Sequence, residues 1–245
     1  MKAILFISLF TLSLNVNAWE SMPSHFENVK NTIPSIEVDL RYTSKYNFTG
    51  QPVVGYSSNI CYLQKKVIKK LKKVQNDLLR NNLSLKLYDC YRPQASVDSF
   101  VKWANADREA THKLAFHPNI KKNMLFKKNY IAKNSKHSKG IAIDLTIVKT
   151  KNIPSILFID EKQKDCTKTS KWPKGENTIE MGTTYDCLDS LSNTESPYIS
   201  ATALANRRLL KKYMKRQGFK NYSKEWWHYT LPEANSNKYY NFEIK

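Results

Sequence analysis

The sequence is short of several things. Its 245 residues include only 6 glycines and 9 prolines, with no repeat and no low-complexity tract, which excludes collagen-like and linker-type chains. Past the first two dozen residues no apolar run approaches the ~20 residues that cross a bilayer, so stable membrane insertion is not expected of the remainder. The four cysteines form no C-x-x-C pair, which argues against a zinc ribbon or a thioredoxin-type site. Acidic residues are scarce, 21 against 40 Lys+Arg, giving a net charge of +19. Histidine is scarcer still, so imidazole chemistry has five sources: His25, His112, His117, His137 and His228.

Aromatics, by contrast, are plentiful, with 14 Tyr, 10 Phe and 5 Trp. That bulk fits a packed core and not a disordered basic tail. The first residues carry a different signal: a positive Met1-Lys2, an apolar stretch from Ala3 to Leu14, then Val16-Asn17-Ala18. This is the zone order of a secretory signal peptide. Cleavage after Ala18 would leave a single domain of residues 19–245 with a net charge of +18. Export to the periplasm or beyond makes two disulfides the expectation for Cys61, Cys90, Cys166 and Cys187. Pairing Cys61 with Cys90 and Cys166 with Cys187 has each bridge bracket one local segment.

Periodicity supplies the fold class. Leu63, Val67, Ile68, Leu71, Val74, Leu78 and Leu79 recur at helical spacing, with lysines on the other face, predicting a helix over 62–81. Leu83, Leu85 and Leu87 alternate with Ser84, Lys86 and Tyr88, the period of a half-buried strand. After Pro93, residues Val97, Phe100, Val101 and Ala104 suit a second helix. Ile141, Ile143, Leu145 and Ile147 predict another strand, with Asp144 on the face away from the core. Residues 150–180 read as a polar surface excursion. A last helix is capped by Ser200, carries Leu204, Leu209, Leu210, Tyr213 and Met214, and ends in Lys215-Arg216 before Gly218. The sum is an α+β domain: a mainly antiparallel sheet flanked by helices.

Two segments concentrate chemistry. In Ser135-Lys-His137-Ser-Lys-Gly140-Ile-Ala142-Ile-Asp144 the glycine permits a turn through which imidazole and carboxylate can converge. In Glu225-Trp-Trp-His228 a spacing of three sends the two polar side chains to opposite faces of a flat strand, so a shared site requires a bend. Two histidines and one carboxylate make a three-ligand catalytic zinc set with an open fourth position. Glu225 would then be free to act as general base. Spacing alone leaves open that His137 and His228 are ordinary polar residues, because no H-E-x-x-H helix is present.

The ordered motifs resemble those of the D-alanyl-D-alanine dipeptidase family of zinc metallopeptidases, from about Asp39 to the C-terminus. Its S-x-H-x-x-G-x-A-x-D is met by Ser135, His137, Gly140, Ala142 and Asp144, and its E-W-W-H by Glu225 to His228. Asp89-Cys-Tyr91-Arg92-Pro93 is similar to its D-x-Y-R-P, and Tyr42 to Gly50 with Pro52 and Gly55-Tyr56 to its N-terminal arm. Met181-Gly182-Thr-Thr-Tyr185-Asp186 is similar to its M-G-x-x-F-D, with tyrosine replacing phenylalanine.

The resemblance implies that His137, Asp144 and His228 bind one Zn²⁺, that Glu225 is the general base and that Arg92 stabilises the oxyanion. It also implies that Asp186 pairs with the substrate ammonium, with Ser135, Tyr42 and Tyr56 nearby. The expected partner is a small dipeptide, D-alanyl-D-alanine or a relative from peptidoglycan. A D,D-carboxypeptidase cutting longer stem peptides would use the same metal site. A non-enzymatic protein binding nucleic acid or an anionic envelope is the reading the charge suggests. Against it, 33 of the 40 cations are lysines and only 7 are arginines, a solvated-surface pattern and not that of a phosphate reader; no nucleic acid is expected.

Overall fold

A computed structural model describes residues 19–107, 110–150, 165–168, 178–234 and 237–245. The signal-like residues 1–18 and most of the 150–180 excursion lie outside the described residues. The first elements are β1 (Phe26–Asn28), α1 (Val29–Thr32), β2 (Glu37–Val38) and β3 (Tyr62–Gln64). They are followed by α2 (Lys65–Leu79), β4 (Leu83–Asp89), α3 (Gln94–Asn105), α4 (Lys113–Phe116) and β5 (Ala142–Lys149), then by α5 (Ala201–Arg216), β6 (Lys220–Asn221) and β7 (His228–Thr230).

The lysine-rich helix forms as its periodicity predicts, burying Val67, Ile68, Leu71, Val74 and Leu78. At about 1.5–3 kcal/mol for each buried aliphatic side chain, that stripe fixes α2 on β4 and against α5. The helix is shorter than expected at its start. Leu63 belongs to β3, which pairs antiparallel with β1, and Leu79 at the far end is exposed. In α5, Ser200 caps the helix by accepting from the Ala203 amide, and Gly218 takes φ 88° just beyond it. Its buried face holds Ala203, Arg207, Leu210 and Met214, so an arginine stands where an aliphatic stripe was expected.

Among the described residues, five strands form the main sheet in the order β2-β4-β5-β7-β6. Within it β2 and β4 run parallel, and the other neighbouring pairs are antiparallel. This is the expected α+β class. The half-buried reading of β4 and β5 needs correction, because both faces are covered. Lys86 is buried at 3.0 Å from Asp39, and Tyr88 stacks on Tyr185 with centroids 4.5 Å apart. Asp144 is therefore buried, not on a solvent face. An ion pair and a ring stack replace water over these polar side chains, which alternation of hydropathy cannot reveal.

The cysteines pair as expected, Cys61 with Cys90 and Cys166 with Cys187. Gly140 ends a short 3₁₀ turn over His137–Lys139 and adopts φ 68°, reversing the chain into β5. A side chain there would meet the left-handed backbone penalty and overlap the ring of Phe26. Gly140→Ala is expected to lose about 2–4 kcal/mol of stability. In thermal unfolding that corresponds to a Tm lower by about 5–15 °C for a domain of this size.

Candidate active site

Strand register builds the centre of the site. Across three adjacent strands Asp89 of β4 faces Asp144 of β5, and Asp144 faces His228 of β7. The 3₁₀ turn before β5 brings in His137 from above this row. His137 Nε2 lies 3.3 Å from Asp144 Oδ1 and 3.1 Å from His228 Nδ1, and His228 Nδ1 lies 3.0 Å from the same Asp144 oxygen. Donors of a tetrahedral zinc ion at 2.0–2.2 Å stand about 3.3 Å or slightly more apart, so this triangle would have to open by a few tenths of an ångström to hold such an ion.

Hydrogen bonds and neighbouring charges set the protonation of these three groups. His137 Nδ1 sits 2.7 Å from the Cys90 carbonyl, which can only accept, so Nδ1 carries the proton and Nε2 offers its lone pair. Burial alone would raise the Asp144 carboxyl, but His137 and His228 beside it hold it well below the ordinary range. Burial lowers the His228 imidazole, keeping it neutral and able to ligate. Burial disfavours charge on His137 too, yet Asp144 overrides it and raises that imidazole.

Glu225 reaches the site because the chain bends before β7. The Glu225 amide donates to the Tyr222 carbonyl at 3.0 Å and the His228 amide to the Glu225 carbonyl at 3.3 Å. This is the bend that a spacing of three demanded, and it brings Glu225 Oε2 to 3.8 Å from His228 Nδ1. Glu225 is 8% exposed, and burial together with Asp144 and Asp186 raises its carboxyl well above normal.

Asp186 is buried, with φ 60°, and accepts from the Tyr42 hydroxyl at 2.7 Å. Burial and the Asp144 charge push its carboxyl up to about 7. Arg92 donates through Nε and Nη2 to Asp89 Oδ2 at 2.9 and 2.7 Å, and its guanidinium lies 5.2 Å from the ring centres of both Tyr42 and Phe100. Tyr56 donates to the other Asp89 oxygen at 2.6 Å. It therefore stands behind Arg92 and is not among the residues lining the cavity. Ser135 accepts from the His137 amide at 3.2 Å.

Arg92, His137, Asp144, Asp186, Glu225 and His228 open on one cavity of about 620 Å³. Asp144, Asp186 and Glu225 share this cavity with Arg92, which is engaged by Asp89, and with Lys133 and Lys136. A divalent ion between His137, Asp144 and His228, and a cationic group beside Asp186, would relieve the repulsion among the three carboxylates. Three contributors escaped the sequence reading. The Cys90 carbonyl that holds His137 is backbone and leaves no motif. Tyr185 donates to Asp144 Oδ2 at 3.3 Å; its only trace in sequence is the replacement of phenylalanine. Arg207, on the buried face of α5, has no local signature.

A family model described as D-ala-D-ala dipeptidase matches residues 22–155 and 169–245. The D-alanyl-D-alanine dipeptidase of Enterococcus faecium is 32% identical over 214 residues, 87% of this chain and 95% of that protein. That of Enterococcus faecalis is 32% identical over 224 residues, 91% of this chain and all of that protein. A third, from Streptomyces coelicolor, is 31% identical over 91% of this chain and its own full length. With motifs, fold and near-complete coverage in agreement, the chain belongs to the D-ala-D-ala dipeptidase family of peptidases.

Proposed function

We propose that the protein is an exported, zinc-dependent D,D-dipeptidase hydrolysing D-alanyl-D-alanine or a closely related dipeptide released from peptidoglycan. The observation that carries this reading is the buried Asp186 carboxylate, held by Tyr42 on the wall of the cavity that contains the His137–Asp144–His228 triangle. A free α-ammonium is the substrate feature that a buried, otherwise uncompensated carboxylate selects. An N-acylated peptide would leave that carboxylate unpaired, a large penalty.

His137, Asp144 and His228 are the residues that would hold Zn²⁺. When bound, the ion polarises the scissile carbonyl and eases deprotonation of the attacking water. Glu225 takes the proton from that water as the new C–O bond forms, then gives it to the amine as the C–N bond breaks. Arg92, always charged and fixed by Asp89, faces the oxygen that gains negative charge. Tyr56 supports Arg92 through Asp89, and Ser135 holds the turn that presents His137. The two disulfides accord with an oxidising compartment, and N-terminal sequencing of the exported protein should read Trp19 first.

Glu225→Ala is expected to keep stoichiometric zinc and lose several orders of magnitude in kcat. His137→Ala is expected to lose zinc itself, measured by metal analysis after dialysis. Near-wild-type turnover by the Glu225 variant would refute the mechanism. Because Glu225 works ionised and its carboxyl is raised, kcat/KM should climb with pH on the acid side, and this limb should be absent from the residual rate of Glu225→Gln. A panel of D,D, L,D and L,L dipeptides, with and without chelator, tests the substrate. Activity on L,L dipeptides alone would overturn the assignment, and preference for N-acetyl-D-alanyl-D-alanine would favour the carboxypeptidase reading.

A further inference from the structure

Arg207 is fully buried at the middle of α5 and is not within ion-pair distance of any described carboxylate. Burying a guanidinium without a counter-charge costs several kcal/mol unless its donors are used. Here they are used on backbone. Nε donates to the Met181 carbonyl at 2.6 Å, and Nη1 donates to the carbonyls of Leu191 at 2.9 Å and Asn193 at 2.6 Å. Nη2 lies 3.5 Å from the Thr183 hydroxyl, and the guanidinium carbon is 6.0 Å from the Trp226 ring centre. Burial lowers its pKa only to about 10, so it stays charged at neutral pH.

These acceptors are not scattered. Met181 and Thr183 enter the loop that carries Asp186, and Leu191 and Asn193 leave it. One planar cation therefore closes both ends of a loop whose centre holds a non-glycine residue at φ 60°. The same clamp reaches the segment bearing Glu225. The Trp226 indole donates to Thr183 Oγ1 at 2.9 Å, and the Trp226 amide donates to the Ser192 carbonyl at 3.1 Å. Thr183 and Ser192 hydroxyls are 2.9 Å apart, closing the circuit.

We propose that Arg207 is a positioning residue for substrate selection: by clamping residues 181–193 at both ends it sets Asp186 at a fixed distance from Glu225 and so defines where a dipeptide's ammonium must lie. The inference rests on Asp186 being the ammonium partner. Lysine cannot replace it, because a single ammonium on a flexible stem cannot serve carbonyls on both strands of the loop at once.

The test compares wild type, Arg207→Lys, Thr183→Val and Thr183→Ser. Each is assayed for kcat and KM on D-alanyl-D-alanine and its N-acetyl form, for zinc affinity by chelator competition, and for amide hydrogen exchange in 181–193 and β5. Arg207→Lys should raise KM for the free dipeptide at least tenfold and shrink its preference over the acetylated form by a similar factor. Zinc affinity should stay within about twofold, and faster exchange should be confined to 181–193. Thr183→Val, which breaks the hydroxyl link without removing the buried charge, should move the same quantities less, and Thr183→Ser should restore wild-type values. An unchanged KM and preference would overturn the proposal, as would zinc affinity falling in step with activity or exchange rising equally in β5. Should Arg207→Lys fail to fold, the Thr183 pair decides alone: Val behaving like Ser refutes the clamp. Absence of wild-type activity on D-alanyl-D-alanine would instead refute the substrate reading, and exchange confined to 181–193 would still judge the clamp.

Discussion

Everything chemical in this molecule depends on one alignment, that of Asp144 in the central strand with Asp89 on one side and His228 on the other. Register in a sheet moves in whole residues, and a slip of one turns every side chain to the opposite face. Leu85 and Leu87 opposite Ile147 and Leu145 hold β4 and β5 in the pairing that sets the acidic row. The β-bulge between Leu87 and Asp89 then re-aims Asp89 toward Arg92, a use of irregularity common beside functional sites. Packing on an apolar pair thus sets polar geometry about two residues away.

A second constraint is electrostatic. Asp144, Asp186 and Glu225 line one cavity, and the carboxyls answer differently according to their neighbours. Asp144, between two imidazoles, is held ionised. Asp186 and Glu225, buried and near other carboxylates, are pushed toward the neutral form. Such divergence would let chemically similar groups serve as ligand, anchor and base in the proposed mechanism. The folded chain carries this repulsion because β-sheet packing, aromatic contacts and two disulfides hold the scaffold rigid around it.

Much of this was legible in sequence, and the reasons differ by element. The helix of Val67 to Leu78 and the Ser200 cap are local patterns whose physics is complete within a few residues. The convergence of His137 with Asp144 was readable because a glycine marks the reversal, and the need for a bend at Glu225 followed from side-chain parity. The resemblance to known dipeptidases supplied the rest of the motif set. What stayed hidden is what depends on partners distant in sequence. Lys86 looked like the solvent residue of a half-buried strand but pairs with Asp39. Tyr56, which the resemblance set near the substrate ammonium, donates to Asp89, a partner 33 residues away. Arg207 carries no local pattern, because its acceptors lie 14 to 26 residues away in the chain.

The position of β7 has a consequence for the order in which the molecule becomes functional. His228 lies within the last elements of the chain, and Ile244 near its end is bonded to Gly55 and Ser57 close to Tyr56. The donor triangle lacks its third corner until β7, which follows α5 and β6 in the chain, has paired with β5. Domains whose closing contacts join the two ends assemble late and as a unit. The donor triangle therefore belongs to the finished sheet, since the turn before β5 and β5 itself carry two of its corners and β7 carries the third.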